Sequence, residues 1–331
     1  MNPTTFKWLL KREYWEHRIG FYWAPVIVAV IWLFFMLLAV TIVEIVKARL
    51  GHNAGLQIDG VMLSKLVDGL TEEQRGHLGG GLDFGTFVFA SVPISVASLV
   101  AFFYCLGALF DDRRDRSILF WKSLPISDRD TVLSKVITAT VTIPAIATVV
   151  GIATGFAFLI IISLVVLAHG VNPFTTIWAT ASPLSLFVKY FANFPIFVLW
   201  SLPTVGWLLL VSSWARSLPF IWAVFTPIFA GIVVSMTGWM SDLGSTSGWF
   251  WRHVVGRLLT GTVPYMHTAF RAATGGLDNI EVHGPRDLLT VFSPSTSWGS
   301  LAMPELWIGA VAGAAMIYAA MRLRTRRELA D

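Results

Sequence analysis

Charge is scarce in this chain. Only 13% of its 331 residues are charged, against about 25% in soluble domains. Hydrophobic residues make up 55%, and the mean hydropathy is +0.68. That balance excludes a soluble enzyme domain. The net charge of +4 is too small and too dispersed to call for nucleic acid as a partner. Cysteine is all but absent: Cys105 stands alone inside an apolar run, so no intramolecular disulfide can form and the redox compartment is not legible. Catalytic signatures are missing as well. There is no G-x-x-x-x-G-K-[ST] loop to cradle a nucleotide, no H-E-x-x-H and no G-x-S-x-G elbow. The seven His are scattered; His253 and His267 share one loop without metal-ligand spacing. The sequence therefore predicts no enzyme, and no cofactor or metal bound by this chain.

What remains is apolar and long. Six runs, at about 21–45, 84–110, 134–167, 186–212, 218–240 and 305–323, each reach the roughly 20 residues that cross a bilayer. They predict an all-α polytopic membrane protein with six transmembrane helices, forming a single transmembrane domain over residues 1–331. The run after Gly20 is too long for the core of a signal peptide and reads as the first span. Many of the 15 Trp flank these runs, such as Trp23, Trp178, Trp239, Trp298 and Trp307, as interfacial indoles do. Pro195, Pro203, Pro219 and Pro227 fall in the fourth and fifth runs, where they either set packing geometry or act as hinges. Two small-residue pairs, Gly151/Gly155 and Gly309/Gly313, allow close helix approach; packing within one subunit is the simpler reading.

Orientation follows from Lys and Arg. With the N-terminus in the cytoplasm, Lys7, Lys11, Arg12 and Arg18 lie inside. So do Arg113, Arg114, Arg116, Lys122, Arg129, Lys135, Arg216, Arg322, Arg324, Arg326 and Arg327. These are most of the 24 basic residues, on the short segments where the positive-inside rule has force. Six spans then put both termini in the cytoplasm. Loops 46–83 and 241–304 lie outside, with short helices expected around Gly60–Leu70 and near His253–Thr274. The span centres hold no Asp, Glu, Lys, Arg or His, which a proton- or sodium-coupled carrier needs. If the protein moves a solute uphill, the energy comes from another chain.

Two cytoplasmic segments stand out. Residues 1–18 read as an amphipathic interfacial helix, opened by Asn2 and Pro3. Phe6, Leu9, Leu10 and Tyr14 lie on one arc and Trp8, Lys11, Arg12 and Trp15 off it, facing headgroups or a docked protein. The second segment is the polar island 111–133, a cytoplasmic loop between spans two and three. Its charges, Arg113, Arg114, Asp115 and Arg116, come first. Ser117, Ile118, Leu119, Phe120, Trp121, Lys122, Ser123 and Leu124 follow, with Pro125 as a stop. Bulky apolar groups directly after a charged cluster suit docking to a protein better than headgroup binding alone. Ser127, with Asp130 three positions on, approximates a capping box that launches the third span.

Taken together, these features resemble the permease subunits of ABC-2-type (type V) ABC exporters, over essentially the whole chain. The most specific part is Arg113 to Pro125, followed by Ser127-Asp128 and Leu133-Ser134-Lys135, which is similar to the loop of one bacterial branch. The resemblance implies a homodimer of permeases in the bacterial plasma (inner) membrane, working with two copies of a separate ABC ATPase that binds ATP and Mg. It makes Arg113–Leu124 a coupling helix entering the ATPase, and residues 1–18 a connecting helix flanking it. An apolar, aromatic-rich interior suits an amphipathic cargo such as a lipid, peptide or drug. The competing expectation is a non-transporting scaffold that recruits a cytosolic protein through the same loop.

Overall fold

The computed structural model describes residues 3–54, 69–115, 127–240, 244–273 and 289–327. Among the described residues there are helices and turns and no strand. The elements are α1 (Pro3–Glu16), α2 (Ala24–Ala54), α3 (Glu72–Ala108), a short α4 (Phe110–Arg114) and α5 (Asp128–Ala168). They continue with α6 (Pro183–Trp214), α7 (Pro219–Met240), α8 (Gly244–Phe250), α9 (Arg257–Thr260), α10 (Met266–Ala273), α11 (Pro294–Trp298) and α12 (Pro304–Arg327). Six of them, α2, α3, α5, α6, α7 and α12, are long and apolar enough to cross a bilayer, so this is a multi-pass membrane protein. The first and last helices both pack on the start of α5 at one end of the bundle, the α1 end.

α3 and α6 form the centre. α3 packs on α2, α5 and α6, and α6 packs on α12. α2 and α7 lie outside and turn apolar faces outward: Ile31, Phe34 and Phe35 on one, Phe225, Phe229 and Met236 on the other, all exposed. Apolar area on that scale belongs against lipid or another protein.

Small residues set the tightest contacts. A Cβ on Gly151 of α5 would lie 2.5 Å from the Ala90 carbonyl oxygen of α3. One on Gly206 of α6 would lie 2.5 Å from the Gly313 carbonyl oxygen of α12, and one on Gly313 2.5 Å from the Leu202 carbonyl carbon. Backbones that touch this way gain dispersion and have no room for side chains. Both small-residue pairs thus serve packing inside the subunit, and Pro203 sits at the α6–α12 contact. Gly313→Val is expected to push these helices apart at a cost of about 1–3 kcal/mol. A clear fall in melting temperature in detergent would show it; an unchanged transition would contradict the packing described.

α3 begins a dozen residues earlier than its apolar run. The Thr71 hydroxyl accepts from Gln74 N, and the Gln74 side chain accepts from Thr71 N, a complete capping box. Gly79, Gly80 and Gly81, expected in a loop, lie inside the helix instead. Gly79 abuts the Thr180 backbone, and the buried Asp83 accepts from Ser182 N at 2.7 Å. The turn between α5 and α6 holds this extension in place. The helix expected around Gly60–Leu70 falls outside the described residues, apart from its last positions.

The segment 244–273 turns back into the bundle. Trp251 and Val255 face Gly231 of α7, and the Trp251 indole donates to Ser235 Oγ at 2.9 Å. Deeper in, Thr204 Oγ1 donates to the Arg257 carbonyl at 2.6 Å and accepts from Gly261 N at 3.1 Å. Thr204 lies about ten residues, or roughly 15 Å of helix rise, before the end of α6. The hairpin tip is therefore lodged well inside the bundle. Arg257 anchors it, with its guanidinium 4.1 Å from the Trp200 ring centre. It donates to the Glu305 and Leu306 carbonyls in the first turn of α12.

Candidate functional site

Ionisable side chains converge at the α1 end. Ser127 caps α5, its hydroxyl accepting from Asp130 N at 3.1 Å. Asp128 occupies the first turn, where the helix dipole favours an anion. Lys135 lies two turns further along the same face. α4 ends the descent of α3 and carries Asp112. α12 supplies Arg324 from its last turns, and α1 supplies Glu13. These five groups form one chain of ion pairs. Lys135 Nζ is 3.3 Å from Glu13 Oε1 and 3.5 Å from Asp112 Oδ2. Arg324 reaches Asp112 Oδ2 and Asp128 Oδ1, each at 3.3 Å. The Tyr104 hydroxyl of α3 donates to Glu13 Oε2 at 2.7 Å.

Burial makes this cluster different from surface ion pairs. Glu13 is 1% exposed and Lys135 2%. Ions desolvated to that degree are tolerated only with partners, so the cluster ties α1, α4, α5 and α12 together. Aromatic packing reinforces the corner: Phe21 and His17, at the elbow between α1 and α2, both meet the Tyr104 ring edge-on, at 5.2 and 5.1 Å.

The predicted loop residues divide. Arg113 is turned onto the end of α6, where its Nη2 donates to the Ser212 carbonyl at 2.7 Å and the Ala215 carbonyl at 2.9 Å. These are the carbonyls a helix C-terminus leaves without intrahelical partners. Ser212 Oγ accepts from Leu109 N and Phe110 N, both at 3.0 Å, and donates to the Leu106 carbonyl. The break between α3 and α4 is thereby stitched to α6. Arg113 positions the loop and faces the bundle. Arg114 and Asp115 stay on the surface, paired with each other at 3.2 Å. Arg116, Ser117, Leu119, Phe120, Trp121, Lys122 and Leu124 lie outside the described residues, between Asp115 and Ser127. Arg113→Ala is expected to cost about 1.5–3 kcal/mol, the range for hydrogen bonds from a charged donor. Chemical or thermal unfolding in detergent checks it, with no loss of stability as the contrary result.

α1 presents two faces. Leu9 and Glu13 point into the bundle. Trp8 and Trp15 point away, each 57% exposed, with the Lys11 ammonium 4.8 and 4.6 Å from their ring centres. Arg12 pairs with Glu16 at 3.3 Å. The sequence pattern placed Leu9 on an apolar arc with Phe6, Leu10 and Tyr14 and passed over Glu13, which docks the helix. Nor did it single out Asp112, Tyr104, Lys135 or Arg324 as a set. Apart from Tyr104, their signal is charge at the ends of three separate runs, which only tertiary structure pairs. Among the described residues, no group of His, Cys, Asp and Glu is arranged to hold a metal ion. A scan against protein-family models and searches of curated proteins and of solved structures each return no match to this chain.

Proposed function

We propose that this chain is the membrane permease subunit of an ATP-driven exporter of the ABC-2 type. In this reading the α1 end is cytoplasmic, both termini with it, in the inner membrane of a bacterium. Two copies work with two separate ATPase subunits that carry ATP and Mg. The observation that carries the proposal is the buried ion-pair cluster. It joins α1 to the near ends of α3, α5 and α12, beside Asp115 and Ser127, the residues that flank 116–126. A force applied to that loop acts on four helices at once, because parting Lys135 from Glu13 strands a buried charge. The exposed face of Trp8, Lys11 and Trp15 lies on the same end and suits contact with the ATPase.

ATP-bound partners close, press on the loops and rock the two permeases between inward- and outward-facing states. The outward apolar faces of α2 and α7 meet lipid and the second copy. The cargo is amphipathic or hydrophobic, a lipid, peptide or drug, a reading the apolar, aromatic-rich spans support. Gentle purification from the native membrane tests the proposal. A P-loop ATPase should co-purify, with turnover that depends on this chain and responds to amphipathic cargo. An associated protein without cargo-dependent ATP turnover would favour the scaffold reading.

A further inference from the structure

A second group of polar side chains lies away from the α1 end, in a cavity of about 40 Å³. The cavity sits between α3, α5, α6 and the returning hairpin. A single buried water needs about 10–15 Å³ by this measure, so there is room for a few water-sized groups. His267 and Asn193 both line it, 1% and 4% exposed. Neither ring nitrogen of His267 has a hydrogen-bond partner among the described residues, nor does Asn193 Oδ1. Leaving such groups dry and unpaired is costly, and here they meet at one place.

The remaining bonds define what the cavity can accept. Asn193 Nδ2 donates to the Lys189 and Phe292 carbonyls, at 2.8 and 3.2 Å, which leaves its oxygen as an acceptor. Thr148 donates to the Pro144 carbonyl, so its oxygen too can only accept. Neutral His267 adds one donor and one acceptor. Among the described residues, no Asp, Glu, Lys or Arg lines the cavity, so an ion would find no counter-charge there. The half-buried rings of Phe194 and Phe197, 6.5 Å apart, also line it and offer apolar surface to an attached chain. Tyr265, at φ 57°, turns the hairpin so that Pro264 and His267 reach the same space.

We propose that this cavity binds the hydroxyl end of a neutral amphipathic molecule, an uncharged hydroxyl-headed lipid. The hydroxyl donates to Asn193 Oδ1 and accepts from the His267 N–H, and the acyl or alkyl chain runs along Phe194 and Phe197. The site belongs to the bundle itself and stands whether or not an ATPase drives the protein.

The full chain in phosphatidylcholine nanodiscs, photolabelled with a long-chain alcohol carrying a diazirine beside its hydroxyl, tests it. Saturable labelling is expected on the peptides around Asn193 and His267. The matched diazirine alkane, lacking the hydroxyl, should label them without saturation. His267→Leu and Asn193→Leu should each raise the half-saturation concentration roughly tenfold, the equivalent of one hydrogen bond. His267→Gln, which keeps a donor and an acceptor, should stay within about threefold of wild type. Melting curves identify any variant that fails to fold, and His267→Gln then carries the comparison with wild type. Equal labelling by the alkane, unchanged saturation in both Leu variants, or no labelling at either peptide would overturn the site and leave a cavity that holds water only.

Discussion

Lys135→Met is expected to destabilise the protein by roughly 3–5 kcal/mol, the usual result of removing one partner from a buried ion pair. The ammonium lies between Glu13 and Asp112 and bridges them, at 3.3 and 3.5 Å. Without it Glu13, almost wholly buried, keeps among the described residues only the Tyr104 hydroxyl as a close partner. The carboxylate then gains by pulling α1 outward into water. Two readouts follow: a melting temperature several degrees lower in detergent, and faster tryptic cleavage at Arg12 or Arg18 as α1 detaches. The double variant Glu13→Gln with Lys135→Met removes the stranded charge and should recover part of the loss. Unchanged melting and unchanged cleavage in Lys135→Met would show that the cluster holds nothing.

The second large effect concerns coupling rather than folding. Under the proposed function, Trp121→Ala and Arg116→Glu, in the segment that follows Asp115, should each lower ATPase stimulation at least about tenfold. Trp and Arg are the side chains whose truncation at an interface most often exceeds 2 kcal/mol, and 1.4 kcal/mol is already tenfold. Membrane insertion and melting should stay near wild type. Arg113→Ala should do the reverse and act first on stability, because its guanidinium is bound to the end of α6. Full coupling in both loop variants would remove the docking role from this segment.

The six spans were legible because each needs only a long apolar run, a property of neighbouring residues. The Ser127 cap was legible for the same reason: a hydroxyl and an amide three positions apart. Gly79–Gly81 fell in the expected loop 46–83 but lie in α3, where the lack of a side chain at Gly79 permits close contact with the turn at Thr180. Glu13 was passed over because a carboxylate on an amphipathic helix normally faces water. Its partner lies more than a hundred residues away, and no local pattern encodes that pairing. The hairpin tip and the cavity beside it share this character. Thr204 and Gly261, or Asn193 and His267, become neighbours only when α6 receives the returning segment.

Under the proposed function this chain binds no ATP and takes mechanical work from a companion at the α1 end. Photolabelling the complex purified from its native membrane with azido-ATP tests that claim most directly. Label is expected on a separate co-purifying chain and none on this 36.6 kDa one, with ATP hydrolysis lost when the companion is stripped away. Label on this chain, or hydrolysis by this chain alone, would contradict it.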